Sequence, residues 1–330
     1  MVLLYEEKYE KAWDEFVLSE SINGNFLQTR NFLNYHVNGK FRDRSLMFFK
    51  GETLVAVMPA NEIDDGNVLL SHQGSTFGGL VIGEKFCSTF NYNWIFKEML
   101  EYFEVSGYER VELRMPHWLY ARQEKRNELL DYYFQLYGFT SCAEVGFYIN
   151  LEELQEEYET HFETLKKRKL KKAYKQNLSF NEITNSDGIK EFHDVLTDNM
   201  IKFDTVPIHT YEDMMDFKNS RLKDVVSFYG VYHDEKLIAG SMVFNFCNKK
   251  VFHTQYLASR QDCLDYCPNE FLYTNLIRTA KEQGFRFLSY GTATLEHGKV
   301  YNQSLGMFKE GFNTDTYINR TYILRKGDQI

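Results

Sequence analysis

Three short signatures occur twice in this chain of 330 residues, in the same order and at nearly constant separation. Leu54-Val55-Ala56 returns as Leu237-Ile238-Ala239, Gly107-Tyr108 as Gly284-Phe285, and Gly138-Phe139 as Gly311-Phe312, at offsets of 183, 177 and 173 residues. Glycine after a helix is ordinary punctuation, and that is the competing explanation. An offset that holds to about ten residues over half a chain instead indicates two copies of one α/β unit. The length agrees, since a single hydrophobic core rarely grows beyond roughly 250–300 residues. The copies meet near Leu151, which predicts domains at 1–150 and 151–330.

Within the first copy, Leu46 to Phe49 and Thr53 to Ala60 are β-rich runs around Lys50-Gly51-Glu52, a hairpin signature. Tyr92 to Val105 has helical spacing and ends at Gly107, and Val111 to Met115 is then a strand. A helix from about Arg122 to Tyr137 and a strand from Val145 to Leu151 complete the copy. In the second copy Val225 to Tyr232, Lys236 to Phe246 and Val251 to Leu257 read as an antiparallel meander. Asn269 to Gln283 is a helix and Phe285 to Tyr290 a strand. A polar loop and a second helix follow, closing on Phe308-Lys309-Glu310-Gly311-Phe312, before a last strand from Thr316 to Leu324. Strands alternating with helices in this way predict an α/β fold, a mixed sheet covered by helices. In such folds ligands collect beyond the carboxyl ends of strands, so the stretch from Pro268 to Phe312 is where chemistry is expected.

The composition supports two packed cores: 43% of residues are hydrophobic and 16% aromatic, with only four prolines. A net charge of −9 argues against bulk nucleic-acid binding. The opening MVLLYEEKYEKAW carries an apolar run too short for a signal peptide or membrane span, so a cytoplasmic protein with no membrane span is expected. Five cysteines without paired spacing fit a reducing compartment. Cys263 and Cys267 lack a second ligand pair, and no metal site is expected.

Residues 152 to 175 are unusual in charge. Glu152, Glu153, Glu156, Glu157, Glu159 and Glu163 precede seven bases in ten residues: Lys166, Lys167, Arg168, Lys169, Lys171, Lys172 and Lys175. Acids toward a helix start and bases toward its end complement the helix dipole, which a solvated helix explains. The density of bases exceeds what capping needs and suggests an anion site, with Arg168 preferred because its fork holds a pair of phosphate oxygens.

Several segments resemble one family: FLQTRNFLNYH at 26 to 36, GSTFGGLVI at 74 to 82, LKKRKLKKAYKQ at 165 to 176, YCPNEFLYTNLIRTAKEQGFRFLSYG at 266 to 291 and NQSLGMFKEGFN at 302 to 313. Together they are similar to the Fem-type branch of the GNAT acyltransferases, which includes peptidoglycan aminoacyl ligases. The resemblance spans nearly the whole chain. It implies two tandem GNAT-like domains with a substrate cleft at their junction, the second carrying the active site. It also implies transfer of an acyl or aminoacyl group from acyl-CoA or aminoacyl-tRNA to an amine of a cell-envelope precursor, a sugar or a short peptide. The family's reaction-centre lysine in Phe-Lys-x-x-Phe corresponds to Lys309, and the phosphate contact of its basic helix to Arg168. Two departures stand out: the segment from Ala258 to Pro268 contains no glycine to face a CoA pyrophosphate, with Asp262 and Asp265 there to repel it, and no inserted helical arm is present.

Acyl transfer needs a neutral amine, donors for the developing oxyanion and a proton for the leaving group. Lys309 is expected to hold the oxyanion. His253 and Tyr290 are candidates for proton transfer, with Glu270 or Asp262 as alternative bases. Arg168, Lys172, Phe308, Tyr256 and Asn302 are assigned to substrate binding. His253 and Tyr256 stand three positions apart on one strand and so should face opposite sides, leaving only one of them for the site. Ser71-His72-Gln73-Gly74 reads as a strand end.

Overall fold

The computed structural model describes residues 1–36, 39–123, 128–202 and 204–327. The chain divides into two units. The first comprises Met1–Glu144, Leu295–Val300 and Ile318–Ile330, and the second Val145–Thr294 and Tyr301–Tyr317.

In the second unit the expected meander forms. Ser179–Glu182, Val226–His233, Lys236–Phe246 and Val251–Ser259 pair antiparallel in that order. Val251–Ser259 then pairs parallel to Phe287–Thr292, and the helix Pro268–Glu282 makes the crossover between them, as a parallel connection requires. Phe287–Thr292 pairs antiparallel on its other side with Val145 to Asn150. One sheet face packs on the crossover helix through Val243, Phe252, Leu272, Leu276 and Leu288.

The first unit repeats the logic. Leu46–Lys50 and Thr53–Met58 form the hairpin, and Val68–Leu70 pairs parallel to Arg110–Met115. The helix Thr89–Ser106 lies between those parallel strands in sequence. Ser88 caps it by accepting the Asn91 N–H, and Gly107 ends it at φ 76°. This helix packs through Tyr92, Ile95, Phe96 and Met99 on a core that includes Val111, Leu113, Tyr322 and Leu324.

Three expectations need correction. The last strands do not stay with their own copies: residues 145–150 pair with Phe287–Thr292, whereas Arg320–Arg325 of the strand Asp315–Arg325 pair with Arg110–Met115. Strand pairing therefore ties Arg320–Arg325 to the first unit, across the expected division at 1–150 and 151–330. Second, the six acids of the charged block precede the basic helix instead of opening it. Tyr158–His161 is a 3₁₀ turn, and the helix proper is Thr164–Ala173. Extended backbone at Phe162, whose ring is buried, separates the two. Third, the helix expected from about Arg122 is described as Glu128–Leu136, residues 124–127 lying outside the described residues. Among the described residues no helix is long and apolar enough to cross a membrane, and no group of three or more His, Cys, Asp and Glu side chains could hold a metal ion.

Candidate active site

The site is built where the two parallel strands part. Their ladder runs Val251↔Phe287, Phe252↔Leu288, His253↔Ser289 and ends there. Each strand carries a bulge just beyond. Met242 opposes Tyr256 while Val243 opposes Thr254, so Gln255 is the extra residue on one strand. Ser289 opposes Tyr148 while Gly291 opposes Phe147, so Tyr290 is the extra residue on the other. A bulge shifts the side-chain alternation by one. His253 and Tyr256 consequently oppose Phe244 and Met242 and share one sheet face, which overturns the opposite-face expectation.

On that face His253 Nδ1 lies 3.2 Å from Ser289 Oγ. Ser289 is fully buried, accepts the Gly291 N–H at 3.1 Å and stands 3.4 Å from Tyr317 OH. The hydroxyl of Tyr317 sits over Gly146, where any Cβ would collide with the ring. Burial pushes the His253 imidazole down to about 3, and the nearby Lys309 charge pushes in the same direction. In the tautomer that donates Nδ1–H to Ser289, Nε2 is the nitrogen with the free lone pair.

Lys309 arrives from the helix Gln303–Glu310, capped by Asn302, whose side chain accepts the Leu305 N–H at 3.0 Å. The lysine is 4% exposed. Its Nζ donates to Thr292 O at 2.7 Å, just past the parting point, and lies 6.0 Å from the Phe147 ring centroid. Burial lowers its pKa to about 7. A buried lysine titrating near neutrality, next to a neutral histidine at strand ends, makes this a candidate functional site.

A second buried lysine fixes this helix. Along Thr164–Ala173, Lys166, Leu170 and Ala173 face inward. Lys166, 5% exposed, donates to Glu270 Oε1 at 3.1 Å, and Lys169 reaches the same oxygen at 3.3 Å. The Lys166 Nζ also lies 3.4 Å from the Phe308 centroid and 4.6 Å from that of Phe312, a desolvated cation–π arrangement. Burial lowers the Lys166 pKa to about 8, and Glu270 opposes the shift. Its stem passes over Gly311, where a Cβ would come within 2.8 Å of Cγ and Cε. The Glu163 N–H donates to Gly311 O at 2.9 Å, tying the two segments together.

The predicted residues thus separate. Lys309 and His253 come together. Phe308 adjoins Lys309, yet its ring is covered by Lys166 and Tyr273. Tyr256 is held by His209 Nδ1 at 2.9 Å. Arg168 and Lys172 are exposed on the basic helix, and Asn302 is committed to capping. Glu270 binds two lysines, and Asp262 is exposed and paired with Lys236 at 3.4 Å. Lys166, Ser289 and Tyr317 were not anticipated. The signal for Lys166 was its place in the row Phe162, Lys166, Leu170, Ala173, a lysine where helical spacing demands an apolar residue.

Tyr290 lies on the other sheet face, in the aromatic cluster of Tyr273 and Phe312 at 4.5 and 5.7 Å. Its hydroxyl is buried without a hydrogen-bond partner among the described residues. Since an unsatisfied hydroxyl costs about 1–3 kcal/mol, Tyr290→Phe should keep turnover and leave stability equal or higher. A stable variant with turnover reduced a hundredfold would instead give the hydroxyl a chemical role.

The phosphates of an acyl-CoA donor would be expected at the first turn of Pro268–Glu282, where helix N–H groups point outward. The residues there do not fit them. Pro268 lacks an N–H, Asp262 and Asp265 occupy the preceding 3₁₀ turn, and the Glu270 carboxylate already engages Lys166 and Lys169.

Residues 161–299 match the sequence model of the family described as acetyltransferase (GNAT) domain. No curated protein matches the chain by sequence. Among solved structures, FemX has a TM-score of 0.67 at 11% identity, covering 98% of this chain and 96% of FemX. The C-terminal domain of a putative lysylphosphatidylglycerol synthetase from Agrobacterium fabrum gives 0.63 at 12%, covering 97% and 92%. A tandem GNAT protein from the clavulanic acid biosynthesis pathway gives 0.54 at 7%, covering 98% of each. At these identities the likeness is one of fold.

Proposed function

On the premise that this chain carries a GNAT acetyltransferase domain and has a fold like that of FemX and of a tandem GNAT protein, we propose that it transfers an acyl group to an amine of a cell-envelope precursor. The single observation that carries this reading is the pairing of buried Lys309 with neutral His253 where two parallel strands part. GNAT domains in general take acyl-CoA, but the occupied first turn of Pro268–Glu282 gives no seat for its pyrophosphate, so the donor is defined here only as an activated acyl group. The Fem-type motifs direct the acceptor toward a nucleotide-linked amino sugar or a short peptide.

In the proposed reaction the acceptor nitrogen attacks the acyl carbon. The C–N bond forms, the carbonyl oxygen becomes anionic, and the Lys309 ammonium stabilises it. The bond to the leaving group then breaks. His253 Nε2 takes the proton released from nitrogen and passes it to the departing group, which leaves protonated. Since His253 takes up a proton only below about pH 3, it stays neutral, with a free ring lone pair, across the working range. Lys309 is protonated below about pH 7, so kcat/KM should rise as the acceptor amine deprotonates and fall as Lys309 does.

Mass spectrometry of reactions containing purified protein, an amino-sugar nucleotide or peptide acceptor, and either acetyl-CoA or aminoacyl-tRNA should reveal an acylated product. His253→Gln should slow its formation at least tenfold. Absence of product with every donor and acceptor, together with retained binding of an acceptor, would favour a silent binding protein, the reading to which the Glu270-occupied helix turn lends weight.

A further inference from the structure

The first unit contains a cavity of about 660 Å³. Its floor is the sheet face opposite the hydrophobic core. Along Arg110–Met115, Val111 and Leu113 join the core, while Arg110, Glu112 and Arg114 line the cavity. Along the neighbouring strand Tyr322 and Leu324 are core residues, and Ile323 and Arg325 line the cavity. Strand alternation therefore puts Arg110 and Arg114, with Glu112 between them, and Arg325 of the neighbouring strand on this one face.

The rim comes from the short turn Glu296–Gly298. Glu296, His297 and Gly298 all have left-handed backbone, at φ 50°, 54° and 87°. A Cβ at Gly298 would strike the backbone of Ala143, so glycine lets the turn lie flat against that strand. This conformation is unfavourable at the two non-glycine residues, and it places His297 and Lys299 on the cavity.

The charges do not cancel. Arg110 lies 3.0 Å from Glu112, and Arg114 lies 2.6 Å from Glu144. Arg114 Nε is nevertheless buried without a hydrogen-bond partner among the described residues. Lys299 and Arg325 are exposed and take part in no ion pair among the described residues. Four Lys and Arg side chains line the cavity against the single acid Glu112, in a chain of net charge −9. Half-buried Ile63, Leu70 and Ile323 add an apolar patch beside them. Concave cationic surface with an apolar wall suits a small ligand that has an organic body and a doubly charged head, and the volume lies in the range of small-molecule sites.

We propose that this cavity binds an organic phosphate, its dianionic head held by Arg114, Lys299 and Arg325 and its body resting on Ile63, Leu70 and Ile323. The proposal is independent of the acyl-transfer reading, because no residue lining the cavity belongs to the unit that carries Lys309.

Isothermal titration of the full chain with glucose 1-phosphate should show saturable binding, competed by inorganic phosphate and not matched by glucuronate at equal ionic strength. Charge-assisted hydrogen bonds are the stronger class of polar contact. The double variant Lys299→Gln, Arg325→Gln, which alters two exposed side chains, should therefore weaken binding at least tenfold, while Lys309→Ala leaves it unchanged. Absence of binding by both glucose 1-phosphate and inorganic phosphate would overturn the proposal. Equal affinity in the double variant, equal affinity for glucuronate, or loss of binding in Lys309→Ala would do so as well.

Discussion

Replacing Lys309 with alanine is expected to reduce turnover by about a hundred- to a thousandfold, the usual loss when an oxyanion donor is removed. The fold should survive, because the side chain adds one hydrogen bond, to Thr292 O, and sits as a charge in a buried site. The same burial makes a thermodynamic prediction with a definite sign. The lysine titrates near 7 in the folded chain against an ordinary value of 10.5. Between those pH values the unfolded chain binds the extra proton, so stability attributable to this group rises with pH across that window. Below about pH 7 the full cost of burying the ammonium remains. Lys309→Met should thus be more stable than wild type at pH 6, with the advantage shrinking toward pH 10. Denaturant midpoints at both pH values check this, and an unchanged rate in Lys309→Ala would move the chemistry elsewhere.

Breaking the Lys166–Glu270 pair should be the most damaging change to stability. Both groups are at most 5% exposed, so Glu270→Gln strands a buried ammonium and Lys166→Met strands a carboxylate that keeps only Lys169 at the rim. Removing one partner of such a pair typically costs about 3–5 kcal/mol, whereas replacing both can be close to neutral. The double variant Lys166→Met, Glu270→Gln should therefore recover much of the loss, and a cycle of urea melts measures the coupling. Additive losses would show that the two residues act separately. Lys166 also covers Phe308, the neighbour of Lys309, so the single variants should shift the pH at which Lys309 titrates as well.

Much of this was legible beforehand. Hydrophobic alternation and glycine punctuation located the hairpins at Leu46–Lys50 and Thr53–Met58 and at Val226–His233 and Lys236–Phe246. Lys309 was singled out by the Fem-type motif and His253 by its place on the strand Val251 to Leu257. Arg168, preferred for its fork, is exposed, and Lys166 is a base of that helix that faces inward, because charge density does not tell which positions of a helix are buried. Asn302, assigned to substrate, is a helix cap, a role its position before Gln303–Glu310 already allowed.

The sequence by itself determined two copies of an α/β unit and the type and order of their elements, because periodicity and turn chemistry are local properties of the chain. Tertiary structure decided what those properties leave open. Which copy receives each last strand is a matter of pairing between residues far apart in sequence, as Arg320–Arg325 against Arg110–Met115 shows. A bulge of one residue at Gln255 reverses the faces of everything beyond it, and packing on both sides of the sheet selects that register. Whether a lysine is a solvated charge or a buried group near neutrality depends on what surrounds it, which for Lys309 and Lys166 is the folded second unit.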